Sequence, residues 1–475
     1  MTRRAWVRLD NASNIFLAAR SDADSKVFRM SAELDHDVDA QLLQEALDEV
    51  YDHYPLYHAV LRRGVFWHYL QDSDLRPTAT PDDQHTCAPI YLPDRRNLLF
   101  RVAHHRTRIV LEVFHALSDG TGALWFLSDL LNAYTRRSST LPGTAAVPDT
   151  PGSAHPPGTI APRSDAAAPR HELTADSFAQ YFRGKTEGVG AQDSDFSKAA
   201  ATPVLEVEDE VDSGKPLRRR PGLRPSFMDV YHPKGTRTPD NRTRAVELTL
   251  PSKDLLDLAK AIEVSPTMYL TALFFESIRR SSGGLGKKRT LSASIPVNLR
   301  QFFPSDSARN FFATVTVRHT YGEGLDDIAA IAKQLDGQFR PKATPEALER
   351  KLRKLIRAER MVVLRVFPRP IKDMLLRLIN WGINRGISVA VSNLGRVTLP
   401  EPAESHVERM LFHVSAVRPQ FCAVSHAGYL TISFTSPFTE IGHVREFARM
   451  LTENDIPVTV AAAKVTEQEL MEQKS

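Results

Sequence analysis

The chain has 475 residues, which is too long for a single hydrophobic core and predicts two domains. Apolar residues make up 42% and charged residues 25% of it, the composition of an ordinary globular protein. The net charge of +4 is small beside 61 basic and 57 acidic side chains, so nucleic acid is not an expected partner. Cys87 and Cys422 are the only cysteines, which indicates neither a disulfide framework nor a cysteine-rich metal site.

The amino-terminal part of the chain predicts no targeting segment. Residues 1–10 lack the apolar core of a signal peptide, and no run of about 18 apolar residues occurs anywhere. We therefore expect a cytoplasmic protein. Residues 27–34 form a predicted strand, and residues 39–54 form a predicted helix that Pro55 ends. A hairpin is predicted around Gly64.

The most informative stretch begins with the apolar, β-branched residues 108–114, which predict a buried strand. His115 follows directly, and Asp119 and Gly120 break the run. Leucines at three- and four-residue spacing after Gly120 predict a helix packed back onto the sheet. His115 would then lie at the carboxyl end of a strand, where open sheets place their chemistry. Taken alone, the pattern fits an ordinary strand-end histidine and a capping aspartate equally well.

Residues 141–243 differ in composition from the rest of the chain. Seven prolines among small residues between positions 141 and 170 are typical of a flexible segment. An acidic block around residues 206–212 then precedes a basic run at 218–220, and such opposite blocks favour a solvated insert over an interaction patch. The predicted organisation is an amino-terminal subdomain at 1–140, a linker and insert at 141–243, and a carboxyl-terminal subdomain at 244–475.

The carboxyl-terminal half repeats the alternation of strands and helices. Ser265 and Pro266 supply an N-cap and a first-turn proline for a predicted helix. A predicted strand at 291–295 leads toward Arg300, and another at 387–391 leads into the segment Ser-Asn-Leu-Gly. Asparagine and glycine are common turn formers, so a plain strand-to-turn segment explains this last sequence almost as well as a functional site does.

Residues 344–385 are rich in arginine and lysine. The first part predicts a basic helix with a solvated face, and residues 361–385 are apolar with interspersed arginine. Core packing is the favoured interpretation of residues 361–385, and a membrane-surface helix is the less favoured alternative. Membrane association is therefore not expected. Pro368 and Pro370 leave too short an uninterrupted helix to span a bilayer.

Four segments in order resemble a known superfamily. His115-x-x-x-Asp119-Gly120, with a strand before it and a helix after it, resembles the signature of the chloramphenicol acetyltransferase-like superfamily. That superfamily includes acyl-CoA-dependent alcohol acyltransferases, polyketide-associated acyltransferases and condensation domains. Residues 6–16 resemble the opening of its alcohol acetyltransferase-like group, and residues 296–300 and 392–395 complete the match. Many members carry a second histidine where this chain has Phe114, which weakens the match to condensation domains.

The resemblance implies an α/β (α+β) fold of two subdomains, each a mixed sheet flanked by helices, with an active-site channel between them. It implies that His115 is the general base. Asp119, Gly120 and Arg300 would support the motif structurally, with Arg300 paired to Asp119. The oxyanion site or acyl channel would include three residues of the fourth segment, namely Ser392, Asn393 and Gly395.

The implied reaction moves an acyl group from a thioester, with acyl-CoA as the favoured donor, to the hydroxyl or amine of a small acceptor. No covalent intermediate is needed, and the sequence has no Gly-x-Ser-x-Gly elbow. No cofactor and no metal are predicted, because acyl-CoA would be a substrate. Two alternatives stay open: a stand-alone condensation-type enzyme that takes its acyl group from an acyl carrier protein, and a non-catalytic binding protein with the same fold.

Overall fold

The fold was analysed in a computed structural model. It describes residues 5–9, 11–21, 23–64, 68–139, 159–160, 171–173, 177–182, 230–238, 242–283, 285, 289–359 and 369–462. The predicted flexible segment at 141–170 lies outside this range except for residues 159–160, and the charged insert around 206–220 lies outside it entirely.

The amino-terminal half supplies four strands of a five-stranded mixed sheet and all of a small three-stranded antiparallel sheet. The strands are β1 (Trp6–Arg8), β2 (Val27–Leu34), β3 (Val60–Arg63), β4 (His68–Gln71), β5 (Ala79–Pro81), β6 (Phe100–His105) and β7 (Arg108–Phe114). The small sheet has the order β1-β4-β3, and these four strands of the larger sheet have the order β2-β7-β6-β5. The helices are α1 (Asn11–Ala19), α2 (Ala40–Asp52) and α3 (Gly120–Ser139), and a 3-10 turn spans Pro55–His58.

Helices α2 and α3 pack against each other and cover this sheet. The Asp39 side chain accepts hydrogen bonds from the backbone of Gln41 and Leu42, so it caps α2. The apolar face of α2 is buried, as its periodicity predicts.

The second sheet is mixed and has eight strands. Strand β8 (Thr159–Ile160) comes from the predicted linker, and the carboxyl-terminal half supplies β9 (Arg244–Pro251), β10 (Thr290–Asn298), β11 (Phe312–Thr320), β12 (Val389–Val397), β14 (Gln420–His426), β15 (Tyr429–Ser436) and β16 (Thr459–Ala462). Their order is β11-β10-β12-β14-β15-β9-β16, with β8 also paired to β12. Helix α4 (Ser177–Phe182) also comes from the predicted linker, and the carboxyl-terminal half contains α5 (Ser252–Ala261), α6 (Pro266–Ser281), α7 (Ile328–Phe339), α8 (Pro345–Glu359), α9 (Arg369–Arg385), α10 (Ala403–His406) and α11 (Gly442–Thr452).

One strand of the carboxyl-terminal half belongs to the amino-terminal sheet. Strand β13 (Val407–Val414) runs antiparallel to β2, with Val407 opposite Leu34 and Val414 opposite Phe28. Residues before and after β13 also join the core of the first sheet, whereas the second sheet has a separate core. The predicted boundaries at 140 and 243 stay a prediction. The predicted fold class, two lobes built on mixed sheets with flanking helices, is confirmed.

Helix α9 departs from the expectation of core packing. Three large apolar side chains on α9, those of Met374, Leu378 and Trp381, are exposed. The expectation is therefore wrong for this face of the helix. Among the described residues, no helix combines the length and hydropathy that crossing a bilayer requires.

Candidate active site

His115 lies in the turn that follows β7, where the sequence places it. Its backbone N–H donates to the carbonyl of Lys26 at 2.8 Å, which ties the turn to the start of β2. The imidazole stacks on the ring of Phe16 from α1, with 3.9 Å between centroids, and meets the edge of Phe28 at 5.0 Å. Aromatic rings on two sides therefore fix the plane of the imidazole.

Asn310, from the carboxyl-terminal half, determines which imidazole nitrogen carries the proton. Its Nδ2 donates to the His115 carbonyl oxygen at 2.8 Å and to Ser13 Oγ at 3.0 Å. Its Oδ1 consequently faces His115 Nδ1 at 3.2 Å. An amide oxygen only accepts, so Nδ1 of the neutral ring must carry the hydrogen. The lone pair is then on Nε2, the atom that a general base uses.

Burial lowers the pKa of His115 to about 4, outweighing the opposite effects of the Asp119 charge and the Asn310 hydrogen bond. The ring is thus neutral at pH 7, and Nε2 is free to accept a proton. The rings of Phe16 and Phe28 contribute to this burial, since they replace water beside the imidazole.

Asp119 uses its two carboxylate oxygens for different partners. Oδ1 accepts from the backbone N–H of Gly122 at 2.9 Å, so Asp119 caps α3. Oδ2 accepts from Arg300 Nη1 at 2.7 Å and from the backbone N–H of Phe311 at 2.8 Å. Asp119 therefore both caps α3 and pairs with Arg300. The ion pair joins the two halves of the chain.

Arg300 fixes the segment that carries Asn310. Its Nη2 donates to the carbonyl oxygens of Ser307 at 2.8 Å and Arg309 at 2.6 Å, and its guanidinium lies over the ring of Trp125 at 5.2 Å. A planar fork with several donors suits these contacts, whereas an ammonium would make fewer of them. Arg300 therefore positions Asn310, and through it His115, without touching the imidazole.

The start of α3 approaches residues 307–310 so closely that a side chain would not fit. A Cβ atom on Gly122 would lie 2.2 Å from the Ala308 carbonyl oxygen. The Ser118 hydroxyl donates to that same oxygen at 2.5 Å. Gly120 is less confined, since a Cβ there would come no closer than 3.1 Å to another residue, at the side-chain tip of Leu394. The tight constraint falls on Gly122, which the sequence analysis did not single out.

The Ser392 to Gly395 segment is part of a strand and not a turn. Strand β12 continues past Val391 to Val397, with a register shift between Asn393 and Arg396 and with Gly395 at φ +76°. The Asn393 amide donates to Thr267 Oγ1 at 2.9 Å and accepts from the backbone N–H of Gly395 at 2.8 Å. Asn393 thus supports the first turn of α6.

This segment nevertheless lies beside the histidine motif. The side chain of Leu394, in the irregular part of β12, reaches the position next to Gly120. The geometry does not bring Ser392 into hydrogen-bond contact with His115 among the described residues. Its assignment to the oxyanion site or acyl channel, with Asn393 and Gly395, stays a prediction.

Sequence reasoning missed three residues that contact or frame His115. Phe16 stacks on the imidazole, Ser13 holds the Asn310 amide, and Asn310 orients the ring. One signal was present, because residues 6–16 form one of the four segments that resemble the superfamily, whereas Asn310 lies outside those four segments. Their contact with His115 required the tertiary structure.

Two other sets of potentially reactive side chains are the two cysteines and a group of two histidines with an aspartate. Both cysteines are buried, which raises the pKa of each thiol, and neither is a suitable nucleophile. Asp35, His36 and His406 form a group of potential metal ligands at the end of β2 remote from His115. Both histidines direct Nδ1 at the Asp35 carboxylate, at 2.5 and 3.0 Å, so hydrogen bonds account for this group.

No family model and no curated protein match the chain. The chain does match solved structures. The trichothecene 15-O-acetyltransferase TRI3 from Fusarium sporotrichioides matches with TM-score 0.58 and 10% identity, over 95% of this chain and 94% of that one. TRI101 from F. sporotrichioides, complexed with coenzyme A and T-2, matches with TM-score 0.52 and 10% identity, over 96% and 99%. The EpoB cyclization-docking bidomain from Sorangium cellulosum matches with TM-score 0.53 and 13% identity, over 95% and 85%.

The chain therefore has the fold of the chloramphenicol acetyltransferase-like, condensation-domain superfamily, and the resemblance recognised in the sequence is confirmed at this level. The structural match extends over 95% of the chain and therefore includes both lobes. The fold is one that acyltransferases use.

Proposed function

We propose that the protein is an acyltransferase in which His115 Nε2 is the general base. The observation that carries the proposal is the orientation of Asn310, which leaves the proton on Nδ1 and the lone pair on Nε2. The Asp119 and Arg300 pair supports this arrangement by holding residues 307–310.

In the proposed reaction, Nε2 removes the proton from an acceptor hydroxyl or amine as its oxygen or nitrogen attacks the thioester carbonyl carbon. The new bond forms, the carbonyl oxygen becomes an oxyanion, and the carbon–sulfur bond then breaks. The leaving thiolate takes the proton back from Nε2, so no covalent enzyme intermediate forms. General base catalysis of this kind is worth about 10² to 10⁴ in rate. Alignment of the two substrates and stabilisation of the oxyanion would supply the remainder.

The low pKa of His115 suits a site in which the charged form is transient. The neutral ring is the resting form at pH 7, and the amide oxygen of Asn310 accepts from Nδ1–H of both the neutral and the protonated ring. Asn310 would therefore stabilise the imidazolium as it forms.

We assign Ser392, together with Asn393 and Gly395, to the far wall of the site.

Acyl-CoA is the donor that we propose, with an alcohol or amine as acceptor and no further cofactor. Support comes from the fold of TRI101, which is complexed with coenzyme A, and from that of TRI3, an O-acetyltransferase. The second candidate is a donor carried by an acyl carrier protein, which the EpoB match favours because that domain belongs to a peptide synthetase. A cytoplasmic location stays a prediction.

The test follows thiol release from acetyl-, butyryl- and longer acyl-CoA with a panel of alcohols and amines. We expect acceptor-dependent release by the wild-type protein and a loss of at least about 10²-fold in His115→Ala. The control is His105→Ala, because His105 is exposed at the end of β6.

Equal rates in wild type and His115→Ala would overturn the proposed base. A second set of reactions replaces acyl-CoA with acylated carrier protein. Transfer in that set alone would identify the carrier-dependent alternative. No transfer in either set, with a folded protein, would contradict catalysis and favour the binding protein.

A further inference from the structure

The positive charge of the chain is concentrated in one segment. Residues 340–385 contain thirteen lysines and arginines and four acids, a net charge of +9, whereas the whole chain carries only +4. The rest of the chain therefore has a net negative charge. A local excess of this size in the sequence favours an anionic partner for the segment that contains α9.

Helix α9 adds an apolar stripe to this charge. Met374, Leu378 and Trp381 follow at spacings of four and three residues, so they lie on one face of the helix. Their exposed fractions are 66%, 61% and 54%. Three large apolar side chains in a row on a single helix face form a patch, which differs from the scattered exposed residues of an ordinary surface.

Arginines frame the apolar stripe. Arg377 and Arg385 are exposed, and the Arg385 guanidinium lies 4.4 Å from the centroid of the Trp381 ring. Tryptophan with a cation beside it is the arrangement that suits the boundary between lipid acyl chains and headgroups. In that arrangement an aromatic ring enters the apolar layer while the cations remain at the level of the phosphates.

The opposite side of α9 is held by the protein. Leu376, Ile379 and Ile383 are only partly exposed, and α9 packs against α1. Helix α1 in turn carries Phe16, which stacks on His115. The apolar stripe therefore faces outward from a helix that is anchored beside the candidate active site.

We propose that α9 is an interfacial helix that docks the protein on an anionic lipid bilayer. Met374, Leu378 and Trp381 insert among the acyl chains, and the arginines bind the lipid phosphates. Charge complementarity selects the bilayer, since it presents a continuous negative surface, whereas the acidic excess of the rest of the chain is spread over more than 400 residues. The helix lies on the membrane and does not cross it.

The test is co-sedimentation of the full-length protein with vesicles of phosphatidylcholine alone or with about 30% phosphatidylglycerol. We expect binding to the anionic vesicles, weak binding to the neutral ones, and a decline with added salt because surface charge is screened. Leu378→Ser with Trp381→Ser should weaken binding at least about 10-fold. Arg377→Gln with Arg385→Gln should weaken it and reduce the salt dependence.

The matched control is Leu256→Ser with Leu325→Ser, which removes two exposed leucines elsewhere on the surface. Thermal unfolding of each variant tests whether the fold is retained. Equal binding by wild type and the Leu378/Trp381 variant would overturn the proposal. Self-association in sedimentation without vesicles, abolished by the same variant, would overturn it too, because the stripe would then contact a second copy. Neither readout depends on acyl transfer.

Discussion

Asn310 contacts His115 at two points: its Nδ2 donates to the backbone carbonyl at 2.8 Å, and its Oδ1 lies 3.2 Å from Nδ1 of the ring. The two residues are 195 positions apart and come from different halves of the chain. One amide group thus joins the lobes and fixes the tautomer of the imidazole. The tautomer of His115 therefore depends on the correct apposition of the lobes.

Asn310→Ala should reduce kcat roughly 10- to 100-fold with little change in KM, because the tautomer and ring orientation are no longer fixed, while His115 remains. Asn310→Asp should instead preserve the acceptor and add a negative charge. The carboxylate would raise the pKa of His115, so the acid limb of kcat/KM, expected near pH 4 in the wild type, should move to higher pH. A pH profile without this shift would contradict the positioning role of Asn310.

Gly122→Ala should destabilise the protein by more than about 2 kcal/mol, since the new methyl group would lie 2.2 Å from the Ala308 carbonyl oxygen and force the backbone apart. Gly120→Ala is the matched control, because its new methyl group would come no closer than 3.1 Å to another residue, at the flexible tip of Leu394. An alanine in a helix is normally favourable by about 0.5–1 kcal/mol, so the opposite sign at Gly122 is diagnostic. Urea unfolding of the two variants measures the difference, and similar values would contradict the close approach.

Asp119→Asn should cost about 3–5 kcal/mol, because it leaves the Arg300 guanidinium buried without its counter-charge. Arg300→Lys should also destabilise, since an ammonium cannot reach Asp119 and both backbone carbonyls together. Denaturant titration of each single variant and of the double variant gives the coupling energy. Additive effects would show that the two side chains act independently.

His443→Leu should make the protein less sensitive to acid. Burial lowers the pKa of His443 to about 4, below its ordinary value of 6.5, and its Nε2 has no hydrogen-bond partner among the described residues. The unfolded chain binds the proton more readily between these pH values, so the free energy of unfolding falls as pH decreases from 6.5 to 4. At pH 5 the leucine variant should be about 2 kcal/mol more stable relative to wild type than at pH 8. Thermal unfolding at both pH values measures this, and equal differences would refute it.

Local patterns predicted the elements that carry the histidine motif. The strand at 108–114 coincides with β7, and Ser265 and Pro266 begin α6 as their capping chemistry requires. The pair of Asp119 and Arg300 also lies in contact, as the resemblance implies. These features depend on side chains close in sequence or on a motif whose segments have a known order.

The remaining features depend on distant contacts. Strand β12 continues through Ser392 and Asn393 because β14 pairs with it on both sides of the irregularity, which overrides the local preference for a turn. The sequence does not reveal that Asn310 contacts His115, because 195 residues separate the two. Hydrophobic periodicity does not tell which face of a helix meets the protein, so the expectation of core packing for α9 fails for the exposed stripe of Met374, Leu378 and Trp381.

Strand β13 completes the amino-terminal sheet but is synthesised long after the other strands of that sheet. Until residue 414 has left the ribosome, β2 has no neighbour on one edge, although the other strands of its sheet lie within the first 114 residues. An open edge is a template for wrong pairing, and chains grow at about 5–20 residues per second. About 300 further residues must therefore be translated, over 15–60 seconds, before the edge is closed. We therefore expect chaperone protection to matter most while the amino-terminal half has been synthesised and β13 has not.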